Sequence, residues 1–430
     1  MNSLNSEASP AHPRWYEILF TRRMLVCLLQ GLASGMPLYV LIQLVPGWLR
    51  TKGVDLSTIG LFSIATLPYA WKFVWAPLLD RYRLPFLGRR RGWMLVSQVL
   101  LLAAISQFGT IDPAEDLKAV IFVVFATALF SATQDIVLDA YRREMLADDE
   151  LGTGNSFFIN AYRVSSLVPG SLAFVLADHL PWTVVFWVVA TFMLVGIVTT
   201  LVVPETYDDR NAPRSVKAAI VEPFVEFFGR GGIRSALLVL AFLFLYKLGD
   251  NMAVALQTPF FVDTGFSLTQ IGTVAKFAIL GSSMIGAALG GLIMLKLSIN
   301  RSLWAFGFVQ LTSILGFALL ARVGPNPYVL FGVASYEYLG VGLGTVAITA
   351  FIQQQTSMRF TATQLALLTT FATLPRTLAT ATTGFIIEAV GYFNFFLICT
   401  AVAVPGMLLL FWVAPWSGDL GRPEPQRAQS

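Results

Sequence analysis

Asp135 and Asp139 stand one helical turn apart in "SATQDIVLDAY", residues 131–141, directly after the apolar run "LKAVIFVVFATALF", residues 117–130. Two carboxylates on one helix face, with a cation nearby, hold their protons with unequal strength, so one stays ionised while the other exchanges. Lys72, Arg163, Lys247, Asp250, Lys276, Glu337 and Arg376 also lie inside apolar segments, with Asp80 and Glu388 nearer segment ends. An ionisable group at the centre of a bilayer costs roughly 2.5–3.5 kcal/mol, and such groups mark proton or substrate pathways. The chemistry these residues suggest is proton exchange and the holding of a charged ligand.

Bond-breaking chemistry has no comparable support. The chain carries no GxxxxGK[ST] phosphate loop, no HExxH and no GxSxG, which argues against ATP-driven pumping and hydrolysis. Asp135 and Asp139 on a single helix are badly placed to share a catalytic water, so no enzyme is expected. With Cys27 and Cys399 near opposite ends, and only His12 and His179 as histidines, neither a disulfide framework nor a zinc or haem site is expected. No metal and no cofactor are foreseen.

The elements that position these charges follow from composition. Of 430 residues 56% are hydrophobic and 13% charged, and the mean hydropathy is +0.69; soluble domains carry about 25% charged residues. A spanning helix needs about 20 mostly apolar residues, and that length fits twelve times. The spans are 23–49, 57–80, 92–111, 117–141, 152–177, 182–203, 235–262, 268–297, 302–322, 327–354, 359–388 and 392–414. An all-α membrane protein of two six-helix halves is expected, with bundles at 1–203 and 235–414, a linker at 204–234 and a tail at 415–430. The polar start "MNSLNSEASPAHPRWYEILFTRR" lacks an apolar run with a cleavage site, so the first span is expected to stay in the membrane.

Basic residues favour the cytoplasmic side, and an inside N-terminus assigns about twenty of the 29 to that side. The net charge of +4 is therefore a topology signal, with both termini cytoplasmic and no nucleic-acid partner. The halves also repeat faintly. Ile59-Gly60 and Ile271-Gly272 are 212 residues apart, and Arg163 and Arg376 are 213 apart, the kind of duplication transporters use to build a midplane site.

Depth divides the candidates. Lys72 and Asp135 share a level about 12 Å from the cytoplasmic end at 1.5 Å per residue, so they are expected to be able to pair. Asp139 lies a turn closer to that end, near Asp80. Both aspartates alternatively serve only as buried ion-pair locks. Lys247 and Asp250, three apart in "LYKLGDN", are expected to pair on one face. Lys276, Arg163 and Arg376 have no acidic neighbour within a turn and suit an anionic ligand or cross-helix pairing, with Glu337 as an internal counter-ion. "GLASG", "GAALG" and "GVGLG", at Gly31–Gly35, Gly286–Gly290 and Gly340–Gly344, permit close helix approach.

The segments "GLASGMPL", "DLSTIGLFS", "KFVWAPLLDRY", "FLGRRRGWML", "SATQDIVLDAY", "EFFGR", "LYKLGD", "ATQLALL" and "AVPGMLLL" together resemble the AmpG muropeptide permeases of the major facilitator superfamily, from about residue 25 to 414. The resemblance implies an inner-membrane permease of a Gram-negative bacterium. It would import N-acetylglucosaminyl-1,6-anhydro-N-acetylmuramyl peptides with protons, for peptidoglycan recycling and, in some species, the signalling behind β-lactam resistance. "LLDRYRLPFLGRRR" is similar to a lengthened superfamily gate loop, which implies gate roles for Asp80, Arg81, Arg89, Arg90, Arg91, Asp139 and Arg142. Asp135, Asp139 and Glu337 are the proton-coupling candidates. Lys72, Gln134, Arg163, Lys247, Asp250, Gln257, Lys276, Arg376, Gln353, Tyr39, Trp71 and Tyr336 are the substrate-binding candidates, supplying cations, amides and aromatic faces to a sugar peptide. The chain is shorter than members with extra C-terminal helices, and related short permeases carry siderophores, so a siderophore or another anionic metabolite is the alternative substrate. A monomer in the lipid bilayer is expected.

Overall fold

A computed structural model describes residues 19–54, 67–206, 216–266, 270 and 274–416, with side chains at all of these except 50, 67, 216–220, 258–259 and 375–382. The Ile59-Gly60 and Ile271-Gly272 repeat and the Arg376 side chain lie outside the described residues. The chain runs as α1 (Arg22–Leu49), α2 (67–81), α3 (Arg89–Phe108), α4 (Leu117–Met145), α5 (151–177) and α6 (Trp182–Val202). A linker helix (Val216–Arg230) leads to α7 (Gly232–Ala255), α8 (Lys276–Met294), α9 (Ile299–Val323) and α10 (Pro327–Gln354). The helical stretch Thr361–Val413 is broken at Gly391, whose φ of 74° no other residue type adopts easily, giving α11 (361–390) and α12 (392–413). Successive helices alternate direction, so α1 starts and α12 finishes at one end of the bundle, the proximal end. Among the described residues nine helices are long and apolar enough to cross a membrane.

Packing recurs six helices on: α3 packs on α4 and α6, and α9 packs on α10 and α12. Such recurrence is what duplicated halves produce. Outward-facing Phe122, Phe277, Phe385 and Trp412 are exposed, as lipid-facing side chains are. Each half is held by small residues: a Cβ on Gly31 would fall on the Phe158 carbonyl between α1 and α5, and one on Gly342 would fall on the Ser283 carbonyl between α10 and α8. Of the glycines in the predicted spacings, Gly31, Gly35 and Gly286 make such close approaches to facing backbone, in keeping with the packing reading. Gly342→Ala is expected to cost the ~1–3 kcal/mol of an overpacked contact and lower the unfolding temperature in detergent. Gly332→Ala on the same helix, with nothing within 4 Å, is the control; equal melting of the two variants would refute the packing role.

Three predicted spans are less regular than a uniform helix. Pro46 removes a backbone donor from α1, and the hydrogen bonds just before it slip to a π turn, Val40–Leu44, closed by Val45 N–H to the Val40 carbonyl. Pro169 accompanies the matching π turn Val168–Leu172 in α5, and the two turns pack together, with Gly170 against the Gln43 amide. In α2, Pro68 and Pro77 divide the described part into Leu67–Trp71, a 3-10 turn at Lys72–Val74, and Ala76–Arg81.

Candidate functional site

The proximal end is closed by a polar seam between the halves. Asp80, at the end of α2, is fully buried and accepts from Arg90 Nη2 at 2.9 Å, from the Ala362 and Thr363 backbone N–H groups at 3.2 and 2.8 Å, and from Thr363 Oγ1 at 2.7 Å. The aspartate of one half thus occupies the positive N-terminus of α11 in the other, where orphan N–H groups and the helix dipole favour an anion. Arg90 is equally buried and also grips Glu144 of α4 at 2.7 Å. Of the three consecutive arginines predicted for the gate, Arg90 faces Asp80. Arg91 instead donates to the Thr200 and Leu201 carbonyls ending α6, while Glu205 caps α3 through the Arg90 and Arg91 N–H groups. Arg89 is buried, and Arg81 lies 5.9 Å from the Tyr82 ring.

A second chain of contacts crosses nearer the bundle axis. Asp139 pairs with Arg142 at 2.6 Å, Arg142 Nε donates to Asn155 Oδ1 of α5 at 2.9 Å, and Asn155 Nδ2 donates to Gln353 Oε1 of α10 at 2.6 Å. Arg143 donates to the Gln353 carbonyl, also at 2.6 Å. Gln353, predicted as a substrate contact, is held by Asn155 and Arg143 in this chain of contacts, and Asp139 and Asp80 stand in separate clusters rather than one. Asn155 and Glu144 were not foreseen, because buried amides and helix-end acids look ordinary in sequence.

Above the seal lies a mid-bundle group on facing walls. Arg163 of α5, partly buried, donates from Nη1 to the Ser283 carbonyl of α8 and lies within electrostatic reach of Tyr39 and Tyr338. Tyr39 packs on Tyr162 with ring centroids 5.6 Å apart, and the Tyr338 hydroxyl donates to Gln257 Oε1 at 2.7 Å. The Gln257 Nε2 amide is buried with no partner among the described residues. A guanidinium near two phenols, one of them bonded to a glutamine with an unspent amide donor, supplies the groups that hold a carboxylate and stack against sugar rings. Tyr336 does not join this group: it is 42% exposed, and its hydroxyl meets Thr312 of α9 at 2.8 Å. Two residues turn a helix by about 200°, so Tyr338 faces the seam and Tyr336 the outside. The signal available in sequence was the Tyr338 and Gly342 spacing, which shares the face that meets α8.

Two carboxylate sites flank this level. Asp135 accepts from Ser34 Oγ of α1 at 2.6 Å, with Lys72, Asp139 and Arg142 near enough to act on its charge. Lys72, in the 3-10 turn of α2, acts on the charge of Asp135 but makes no close ion pair with it among the described residues, and the hydrogen bond comes from Ser34 instead. On the other half, Lys247 and Asp250 form the expected pair at 3.0 Å, and Ser313 Oγ of α9 donates to Glu337 Oε2 at 2.6 Å. Glu337 sits with Asp250 and Lys247 rather than serving as counter-ion to Arg163.

The profile of the Major Facilitator Superfamily matches residues 24–380. The chain belongs to the major facilitator superfamily. Within it, the chain is 38% identical over 390 residues to the anhydromuropeptide permease of Escherichia coli, covering 90% of this chain and 79% of that one. It is 47% identical over 406 residues to an uncharacterized protein of Haemophilus influenzae, covering 92% and 96%. Among solved structures the human organic anion transporter MFSD10 superposes with a TM-score of 0.70 at 15% identity, over 93% of this chain and all of that one; that likeness shows the fold. As a superfamily member the protein is a multi-pass transporter and not an enzyme. The superfamily's two-bundle plan explains why Arg163 and Tyr338, 175 residues apart in sequence, meet on facing walls. Of the remaining candidates, Lys276 is exposed at the start of α8, Trp71 is 58% exposed beside Phe73, and Gln134 is buried next to Asp135 with its amide unpartnered among the described residues.

Proposed function

We propose that the protein is a proton-coupled permease of the bacterial inner membrane that imports anhydromuropeptides from periplasm to cytoplasm for peptidoglycan recycling, with both termini cytoplasmic. The observation that carries this reading is Arg163 within electrostatic reach of Tyr39 and Tyr338, with Tyr338 bonded to Gln257, whose Nε2 has no partner among the described residues. A peptide carboxylate matches the guanidinium, and the two sugar rings match the phenol faces. The relationship to the Escherichia coli anhydromuropeptide permease, over 90% of this chain and 79% of that one, supports the substrate class. In this orientation the Asp80 seam is the closed cytoplasmic gate.

The buried carboxylates supply the proton half of the reading, with Asp135 as carrier on the N-terminal half. Its Ser34 contact lies on α1 and its charged neighbours on α2 and α4, so a change in its charge acts on three helices at once. The test is uptake of labelled anhydromuropeptide into right-side-out vesicles, with and without an uncoupler. Driven uptake is expected to collapse with the pH gradient; uptake that ignores the uncoupler refutes proton coupling. Competition by a ferric siderophore but not by unlabelled muropeptide refutes the substrate. Asp135→Asn is expected to reduce accumulation about tenfold or more, a loss equal to at least ~1.4 kcal/mol of driving free energy, while exchange of external for internal substrate continues. Loss of both activities together with expression would make Asp135 a structural lock instead.

A further inference from the structure

Four groups meet in the buried interior of the C-terminal half. Lys247 Nζ of α7 holds Asp250 Oδ2 at 3.0 Å, and Ser313 of α9 donates to Glu337 Oε2 of α10 at 2.6 Å. The two remaining carboxyl oxygens, Asp250 Oδ1 and Glu337 Oε1, are each fully buried and without a hydrogen-bond donor among the described residues, yet the two carboxyl groups lie within hydrogen-bonding reach of each other. Two acceptors cannot satisfy one another. A buried acceptor left unpaired costs about 1–3 kcal/mol, more if charged, and two facing carboxylates add like-charge repulsion.

Charge counting points the same way. Lys247 contributes one positive charge and balances one carboxylate. A second carboxylate would leave a net buried negative charge opposed only by the Ser313 hydroxyl. The other titratable groups facing the cluster are Tyr246 of α7, beside Asp250, and Cys399 of α12, beside Glu337, and neither carries positive charge. From α8, Gly286 meets α10 at the Leu339 carbonyl, a packing contact without charge. One proton between Glu337 Oε1 and Asp250 Oδ1 satisfies both oxygens and brings the cluster to neutrality.

We propose that Glu337 and Asp250 hold one shared proton, donated from Glu337 Oε1 to Asp250 Oδ1 with Lys247 neutralising the remaining charge, and that this pair is the C-terminal half's store for the transported proton. Binding of the proton does not depend on the permease reading; its use in transport does. Glu337 immediately precedes Tyr338, which donates to Gln257 just beyond the end of α7, so the store and the substrate group are joined through α10. When the proton leaves to water, the cluster becomes negative, and Lys247 must serve two carboxylates. Its ammonium then moves toward Glu337, which draws α7 and α10 together one residue from Tyr338.

The test uses the full chain in lipid, by infrared spectroscopy at neutral pH. A protonated-carboxyl band is expected that shifts when the protein is made with carbon-13-labelled glutamate and disappears in Glu337→Gln. Absence of the band, or a band unmoved by the label in the unmutated chain, overturns the shared proton. So does stabilisation by Na⁺ that replaces the band, because a metal cation would then bridge the two oxygens. Since a proton bound in the folded state and lost on unfolding makes stability fall as pH rises, the unmutated chain is expected to melt lower in alkali, and Glu337→Gln to remove that slope. In proteoliposomes, Glu337→Gln should lose driven accumulation of labelled anhydromuropeptide by about tenfold or more, with exchange retained. Unimpaired accumulation with the band gone overturns the transport role of the store. A wild-type protein that shows the band but moves no muropeptide would instead refute the substrate reading alone.

Discussion

Asp80→Asn is expected to unseal the proximal end without unfolding either half. The carboxylate spends three of its four hydrogen bonds on α11, through the Ala362 and Thr363 N–H groups and the Thr363 hydroxyl, and one on Arg90. Asparagine keeps the shape but loses the charge, and its NH₂ group must face a donor on at least one side. Hydrogen bonds to a charged group contribute about 1.5–3 kcal/mol each, so a net loss near ~2.7 kcal/mol is a conservative sum for the cross-half contacts. That corresponds to a shift of about a hundredfold in the balance of sealed and unsealed states. Arg90 remains held by Glu144 through both Nε and Nη2, so the N-terminal half keeps its own lock. Arg90→Ala, by contrast, would strand two buried carboxylates and is expected to destabilise that half by about 3–5 kcal/mol.

The unsealing can be read from Thr153→Cys. Thr153 is 2% exposed on α5, with its hydroxyl toward the Gly291 carbonyl of α8, and the native Cys27 and Cys399 are both buried and give little background. In the Asp80→Asn background its labelling by an impermeant maleimide, applied from the proximal side, should rise by about two orders of magnitude, the same free energy expressed as a rate of access. Uptake should fall as well, because a carrier that cannot reseal one end cannot alternate. An unchanged labelling rate would mean that the remaining contacts, through Asn155, Gln353 and Arg143, seal the end by themselves.

What the sequence made legible was whatever depends on residue type and local spacing. Apolar length marked the helices, and the three-residue interval of Lys247 and Asp250 marked their pair. Opposite charges around the loop after α2 marked a latch. Its exact members were not legible, since helix rotation alone decides that Arg90, rather than Arg89 or Arg91, points at Asp80. Backbone partners carry no residue signature at all: the Ser283 and Gln353 carbonyls and the Thr363 N–H could be occupied by any side chain. Tyr336 and Tyr338 show the same limit, because the choice between them is an angular one. Lys72 lies near enough to Asp135 to act on its charge, but the hydrogen bond comes from Ser34, on another helix, which spacing along α4 does not reveal.

Arg163 is where these two kinds of information meet, and its replacement is expected to have the largest effect on substrate affinity. The residue was visible as a lone cation, and the fold supplies its neighbours, Tyr39 from its own half with Ser283 and Tyr338 from the other. If Arg163 only braces α5 against α8, then Lys, which can also donate to a carbonyl, should restore transport and melting temperature together. If it grips a substrate carboxylate, the planar two-donor fork matters, and lysine presents a point charge instead. Arg163→Ala should therefore raise the half-saturation concentration for anhydromuropeptide by about 10–100-fold, equivalent to ~1.5–3 kcal/mol for a lost charged hydrogen bond. Arg163→Lys should recover only part of that, while both variants melt close to the unmutated protein. A muropeptide analogue whose peptide carboxylates are amidated should be insensitive to the substitution. Equal losses for the acid and the amide would place Arg163 in the scaffold and leave the anion to another cation. Among the described residues the Ser283 carbonyl takes only Nη1, so the remaining guanidinium donors are the ones the ligand role requires and the Lys comparison probes.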